Sequence, residues 1–288
     1  MSLMVKPHPG EFGAGITGVD LRQPLEVNVI AEIRALWLRH QVIYFPDQPL
    51  NHPQLAAFTQ AFGTFGVEPY VQVMDDYDHI IEVRREPDEK VSPFGASWHS
   101  DWSFQKSPPA ATILHCKITP PVGGETWYAD SYAAFDALEA ADRTELESLV
   151  ALHSARGPYG PQGFFAGSGQ DRSMTILPSD EAFDIQEHPL IRSHPETGRR
   201  ALWVNSVYTI AIKDMDEAQS RTLLKRLFAH SIEDRFIYRH RWASDMLIMW
   251  DNRCVQHCAQ GGYDGHRRLM HRTTVAGDPP YLDTASAG

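Results

Sequence analysis

Short β-rich runs recur along the chain, and this pattern limits the possible folds more than any other feature. Most runs are bounded by Pro, Gly, Asp or Asn, as strands usually are. They cover residues 41–45, 79–85, 111–117, 125–129, 202–208, 236–242, 246–250 and 269–275. Since no repeat or low-complexity linker divides the sequence, we expect one domain over residues 1–288 with a core made mainly of strands.

Helical periodicity is confined to four segments, residues 30–39, 54–62, 131–149 and 216–230. Asp216 can cap the last of them, and Gln219 stands three residues later, as in a capping box. The apolar residues of this segment form one stripe, which indicates a side that faces the core. A β-rich chain with these few helices predicts a jelly-roll-like barrel with flanking helices.

The charge balance and the cysteine count limit the partners and the compartment. The chain has 26 Lys and Arg against 37 Asp and Glu, a net charge of −11. Nucleic-acid binding needs a basic surface, so we expect no nucleic-acid partner. No apolar stretch is long enough for a membrane span or a signal peptide, and three cysteines are too few for a disulfide scaffold. We therefore expect a cytoplasmic protein without a membrane partner.

Residues 157–178 differ in composition from the rest of the chain. This segment contains five glycines, two prolines within its first five residues, and the adjacent Phe164 and Phe165. Loops of more than about 12–15 residues are usually functional lids or disordered insertions. We expect a mobile loop here that acts as a lid over an active site.

A metal site is indicated by His99 and Asp101, in the sequence W-H-S-D-W-S-F, and by His257, in W-D-N-R-C-V-Q-H-C. In an extended chain, residues two apart point to the same side, so His99 and Asp101 can converge on one ion. His257 follows a strongly β-like run and can supply the second histidine. Two histidines and one carboxylate are typical of non-haem Fe(II) oxygenases, whereas structural zinc sites use four protein ligands.

Two arginines and a threonine suggest what fills the remaining positions of such a metal. Arg268 and Arg272 are four residues apart, so in a strand they lie on one face. A guanidinium group matches the geometry of a carboxylate or sulfonate. Thr126, in G-G-E-T-W, can add a hydroxyl hydrogen bond. The pattern indicates a 2-oxoacid cosubstrate that chelates the metal and pairs with an arginine.

These motifs occur in an order that resembles the taurine/2,4-dichlorophenoxyacetate dioxygenase family of Fe(II)- and 2-oxoglutarate-dependent enzymes. The resemblance spans nearly the whole chain. Its segments are G-A-G-I-T-G-V-D-L at 13–21, V-I-Y-F-P at 42–46, W-H-S-D at 98–101, P-P-V-G-G-E-T at 120–126, H-P-E-T-G-R-R-A-L-W-V-N at 194–205, W-D-N-R-C-V-Q-H at 250–257 and R-R-L-M-H-R-T-T-V-A-G-D at 267–278.

The resemblance implies a double-stranded β-helix fold, with His99, Asp101 and His257 as the iron ligands. It implies that Thr126 and Arg268 hold 2-oxoglutarate and that Arg272 faces an acidic group of the substrate. The implied reaction uses O2 to hydroxylate a small organic anion and releases succinate and CO2. Family resemblance also implies a homo-oligomer, either a dimer or a tetramer.

The substrate itself is less constrained by the motifs. Arg272 favours a sulfonate, a sulfate ester or a carboxylate, and Tyr208 and Asn205 are the further substrate-contact candidates. Glu68 occupies the position at which taurine-specific members of the family carry a histidine, which argues against taurine. Glu68 can pair with a substrate amine or face solvent. A bulkier aryloxy-acid or amino-acid-type substrate is the alternative, suggested by Phe164 and Phe165.

Two other classes of protein are compatible with part of the pattern. A jelly-roll metalloenzyme of another kind, such as a hydrolase or a cosubstrate-free oxygenase, would keep the three metal ligands but has no need for Arg268 or Thr126. A non-catalytic metal-binding jelly-roll module usually lacks a ligand, and this chain retains all three.

Overall fold

The strands account for the architecture, which we describe from a computed structural model of residues 2–167 and 171–284. Residues 168–170 of the predicted 157–178 lid, including Gly169, lie outside this description. The strands are β1 (Met4–Pro7), β2 (Ala14–Thr17), β3 (Val42–Phe45), β4 (Ile81–Arg85), β5 (Ala111–Ile118), β6 (Thr126–Asp130), β7 (Val150–His153), β8 (Gln186–Pro189), β9 (Ile191–Ser193), β10 (Arg200–Leu202), β11 (Thr209–Ile212), β12 (Ile237–His240), β13 (Leu247–Asp251), β14 (Val255–Ala259) and β15 (Arg268–Val275).

Two sheets form the central layers. The larger sheet has the order β1-β2-β3-β13-β5-β15-β4, and the smaller one has the order β12-β6-β14. Buried residues of both sheets share one apolar cluster, in which Leu114 and Ile248 of the larger sheet meet Tyr128 and Val255 of the smaller one. Strands that are distant in sequence, such as β5 and β15, pair antiparallel across most of their length. The prediction of a mainly β fold with a jelly-roll core is confirmed.

The helices lie outside this core. They are α1 (Val27–His40), α2 (His52–Gln60), α3 (Ser131–Asp136), α4 (Ala140–Glu147), α5 (Arg156–Tyr159) and α6 (Glu217–Ser231), with 3-10 turns at Asp180–Phe183 and Asp234–Phe236. Trp37 of α1 and Phe58 of α2 pack in a second apolar cluster with residues of β3 and β13. Within the described ranges, no helix combines the length and the apolar character that crossing a membrane requires.

The predicted cap and core face of the last long helix are both present. The Asp216 side chain accepts from the backbone N–H groups of Ala218 and Gln219, which satisfies two of the free donors in the first turn of α6. Leu224 and Leu227 are buried in a third apolar cluster, with Leu223 and Phe228 packed against it.

Two sequence predictions of secondary structure are wrong. Residues 203–208 are not a strand, because the Asn205 side chain accepts from the backbone N–H groups of Val207 and Tyr208 and turns the chain there. The predicted helix at 131–149 is two helices, since α3 ends at Asp136 and α4 starts only at Ala140. The turn between them leaves Leu138 buried among apolar residues.

Candidate active site

The two predicted histidines and the aspartate lie together, with His257 on β14 and the other two in the segment between β4 and β5. His99 and His257 are joined by a backbone bridge, with N–O distances of 3.1 and 2.8 Å, and their rings are 4.2 Å apart. Asp101 lies at the start of the turn after His99, and its Oδ1 is 3.5 Å from His99 Nε2 and 3.9 Å from His257 Nε2. One donor atom of each residue therefore lies within 4.8 Å of the other two. The convergence that the sequence predicted is present.

The protonation of these groups suits metal binding. His99 Nδ1 donates to the Ser97 carbonyl at 2.6 Å, which leaves Nε2, the ring nitrogen 3.5 Å from Asp101 Oδ1, as the atom that can bind a metal. Burial, assisted by His99, lowers the pKa of His257 to about 3, so that its ring is neutral at physiological pH. Burial opposes the ionisation of Asp101, but Arg272 and His257 outweigh it and hold its pKa well below the usual range. Two imidazoles whose Nε2 atoms lie near the Asp101 carboxylate thus fit a divalent metal.

A buried chain of hydrogen bonds orients Asp101, and the sequence did not reveal it. The Thr112 hydroxyl donates to Asp101 Oδ2 at 2.5 Å and accepts from the Asn252 side-chain amide at 2.9 Å. Trp250 Nε1 in turn donates to Asn252 Oδ1 at 2.9 Å. Asn252 belongs to the W-D-N-R segment, but Thr112 lies on β5 with no motif around it. These bonds leave Asp101 Oδ1 facing the histidines.

Replacing Thr112 with valine keeps the shape of the side chain and removes the bond to Asp101. Loss of such an outer partner typically costs about 10–100-fold in metal affinity or activity, and we expect about a tenfold weaker metal affinity. Metal titration followed by calorimetry measures it. Thr273→Val is the matched control, because Thr273 is equally buried in a strand but bonds to Thr59 instead. Equal affinities in the two variants would contradict the role of Thr112.

The predicted cosubstrate residues border one small cavity with the histidines and the aspartate. Thr126, Arg268 and Arg272 all line it, together with Trp250. The Arg268 guanidinium is buried, lies 5.9 Å from the Trp242 ring, and forms no ion pair with any acidic side chain in the described part of the chain. Trp242 Nε1 donates to the Thr126 hydroxyl at 3.0 Å, so Trp242 touches both residues. Sequence reasoning placed Trp242 in a strand and missed this contact.

Arg272 is surrounded by acidic and aromatic groups. Its Nη2 is 3.2 Å from Asp101 Oδ1 and 3.7 Å from Glu68 Oε2, and its guanidinium lies 4.9 Å from the centre of the Trp102 ring. Glu68 also accepts from Trp102 Nε1 at 2.7 Å and from the Thr274 hydroxyl at 2.9 Å. The Glu68 side chain is only 3% exposed, so it does not face solvent. Burial raises its pKa, and Arg272 opposes this change.

A second, larger cavity of about 460 Å³ adjoins the first at His99 and Asp101. Aromatic side chains make up much of its wall: Phe94, Trp102, Tyr159, Phe164, Phe165 and Tyr208. Three of these belong to residues 157–178, so the described part of that segment lines the cavity as expected of a lid. That the segment moves stays a prediction.

The other substrate candidates differ in their placement. Tyr208 lines the larger cavity, and its ring lies 6.1 Å from the His99 ring. Asn205 does not line it: its amide donates to the Ser103 hydroxyl, and its carbonyl oxygen holds the turn that presents Tyr208. Glu68 lines neither cavity and lies behind Trp102 and Arg272.

A second cluster contains residues of the types that bind metals, but it forms a structural ion pair rather than a metal site. His194, Asp251 and Cys254 lie close together and are buried. Both oxygens of Asp251 already accept from Arg253, at 2.8 and 2.7 Å, and one also accepts from His194 at 3.0 Å. Burial raises the pKa of the Cys254 thiol well above its usual value, which disfavours the thiolate that a metal needs.

Comparison with known proteins adds an independent finding. Residues 4–274 match the family model described as taurine catabolism dioxygenase TauD, TfdA family. The alpha-ketoglutarate-dependent 2,4-dichlorophenoxyacetate dioxygenase of Cupriavidus pinatubonensis is 32% identical, over 96% of this chain and 99% of that protein. The alpha-ketoglutarate-dependent sulfate ester dioxygenase of Pseudomonas putida is 30% identical, over 97% and 91%.

The solved structures show the same likeness. The crystal structure of a taurine dioxygenase from Burkholderia xenovorans superposes with a TM-score of 0.81 at 30% identity. The match covers 98% of this chain and 93% of that one.

Proposed function

The chain belongs to the TauD/TfdA family and is a 2-oxoglutarate-dependent dioxygenase, and from this we propose that it uses Fe(II) and O2 to hydroxylate a small organic acid. We propose His99, Asp101 and His257 as the iron ligands and Thr126 and Arg268 as the residues that hold 2-oxoglutarate. The substrate is a sulfonate, a sulfate ester or a carboxylate, and Arg272 faces its acidic group.

The single observation that carries this proposal is the shared wall of the two cavities. The donor atoms of His99, Asp101 and His257 point to one spot, where the cavity with Arg268 and Thr126 meets the aromatic cavity. A metal at that spot can bind a cosubstrate from one side and face a substrate on the other. A hydrolase or a cosubstrate-free oxygenase does not account for the buried Arg268, which has no acidic partner in the described chain.

When bound, the Fe(II) centre supplies the oxidation, in which 2-oxoglutarate, O2 and a substrate C–H group become succinate, CO2 and a C–OH group. The side chains of this protein supply binding and orientation. The Arg268 guanidinium would pair with the distal carboxylate of 2-oxoglutarate, and Thr126 would add a hydroxyl contact. Phe94, Trp102 and Tyr208 exclude water and hold the apolar part of the substrate beside the metal ligands.

The aromatic cavity favours a bulkier substrate as a second candidate. A volume of about 460 Å³ with six aromatic side chains is larger and more apolar than a two-carbon sulfonate such as taurine needs. An aryloxy-acid or an amino acid with a bulky side chain fills such a space. The relatives named for a sulfate ester and for 2,4-dichlorophenoxyacetate are consistent with both candidates.

A succinate-release screen tests the proposal. The protein is loaded with Fe(II), 2-oxoglutarate and O2 and is offered sulfonates, alkyl sulfates, phenoxy acids and amino acids. We expect succinate to form at least about tenfold faster with one of these classes than without substrate. If no organic acid stimulates succinate formation by a protein that binds one equivalent of metal, the proposed function is wrong.

A further inference from the structure

Glu68 is the feature that the proposed function leaves unexplained. It is a buried carboxylate that lines neither cavity, so it can influence a bound ligand only through the residues it contacts. Both of its oxygens accept hydrogen bonds, one from Trp102 Nε1 and one from the Thr274 hydroxyl. An indole N–H only donates, so Oε2 is an acceptor, and this bond together with the nearby Arg272 favours the ionised carboxylate against the burial that raises its pKa. The negative charge lies 3.7 Å from Arg272 Nη2.

Arg272 therefore has its charge balanced inside the protein. Glu68 and Asp101 are the acidic side chains within 4 Å of its guanidinium in the described residues. If Asp101 binds a metal ion, its charge is directed to that ion, and Glu68 remains as the counter-ion of Arg272. A further lone anion at Arg272 would then leave one uncompensated negative charge in a buried site, which is costly.

Two nitrogen atoms of the Arg272 guanidinium nevertheless have no hydrogen-bond acceptor among the described residues. Arg272 is 4% exposed, and its Nε and Nη2 atoms donate to no acceptor among the described residues. Buried donors of this kind need an acceptor. Arg272 lines the wall beside the metal ligands, where a ligand can reach it. The ligand group that binds Arg272 should therefore be a hydrogen-bond acceptor in a molecule without a net negative charge.

We propose that Glu68 is a specificity-determining residue that selects zwitterionic organic acids over lone anions, the substrate being an amino acid with an apolar, bulky side chain. This inference rests on the proposed function and narrows its substrate. The carboxylate of such a zwitterion accepts from Arg272. Because Glu68 already balances the charge of Arg272, the ammonium group of the zwitterion balances the charge of the ligand carboxylate. The apolar side chain occupies the cavity lined by Trp102, Tyr159 and Phe165.

Calorimetric titration of the protein loaded with Mn(II) and N-oxalylglycine, an inert analogue of 2-oxoglutarate, tests the inference without turnover. The matched probes are phenylalanine and 3-phenylpropionate, which differ only in the α-ammonium group. We expect the native protein to bind phenylalanine at least about tenfold more tightly than 3-phenylpropionate. In Glu68→Gln, which keeps the size of the side chain, we expect this preference to fall by about tenfold or more. Glu147→Gln is the control, because Glu147 also pairs with an arginine, Arg200, but in another part of the fold.

The inference is overturned if the native protein binds 3-phenylpropionate as tightly as phenylalanine, if it binds neither, or if Glu68→Gln and Glu147→Gln keep the same preference. Succinate release separates this failure from failure of the proposed function. If succinate forms with organic acids but the protein shows no preference for zwitterions, only the role of Glu68 is wrong. If the protein prefers zwitterions but never forms succinate, only the proposed reaction is wrong.

Discussion

Replacing His257 with alanine is expected to lower succinate formation by at least about 10³-fold, which corresponds to about 4 kcal/mol of lost transition-state stabilisation. The substitution removes one of the three donor atoms that converge within 4.8 Å. A metal ion then retains only His99 and Asp101 as protein ligands, so the amount of metal bound per protein chain should fall together with the activity. Metal content after dialysis, measured beside succinate release, checks both effects.

His266→Ala is the control for this variant. His266 is exposed in the turn before β15 and contacts neither cavity, so its removal should leave metal content and activity within about twofold. The thermal midpoint of each variant shows whether it is folded. His257 would lose its assigned role if the alanine variant kept one equivalent of metal and a tenth or more of the native rate.

Replacing Arg268 with alanine is expected to raise the KM for 2-oxoglutarate by about 30-fold or more. Truncating one partner of a buried charge pair costs about 2–5 kcal/mol, and about 1.4 kcal/mol corresponds to a tenfold change. Burial lowers the pKa of Arg268, and no Asp or Glu of the described residues forms an ion pair with it, so a carboxylate of 2-oxoglutarate is the partner that we propose. Steady-state succinate release at varied 2-oxoglutarate measures the KM.

Arg267→Ala is a closely matched control, because it removes the same charge one residue earlier. The Arg267 side chain is 43% exposed and pairs with Glu86, 3.2 Å away, outside the cavities. Its KM for 2-oxoglutarate should stay within about twofold of the native value, since exposed ion pairs contribute little. An equal rise in both variants would show that the net charge of the surface, rather than a contact of Arg268, determines the affinity.

Much of the site was readable from the sequence because its residues follow local rules. Arg268 and Arg272 are four apart in β15, so strand geometry puts both on one side, and the two-residue spacing of His99 and Asp101 predicted their convergence although Asp101 lies in a turn. The order of the motifs identified the family and the jelly-roll core. The cap of α6 by Asp216 was predicted for the same reason, since the partners of a cap are two or three residues away.

The tertiary structure decided what depends on partners far apart in the chain. The sequence predicted the ligand set, the two arginines and the fold class, but it left open whether Glu68 meets a substrate amine or solvent. Packing of residues 65–70 against β15 brings Glu68 next to Arg272 and Thr274, and β13 and β5 bring Asn252 to Thr112. Charges and hydrogen bonds act over a few ångströms, so only the folded chain determines which groups balance one another.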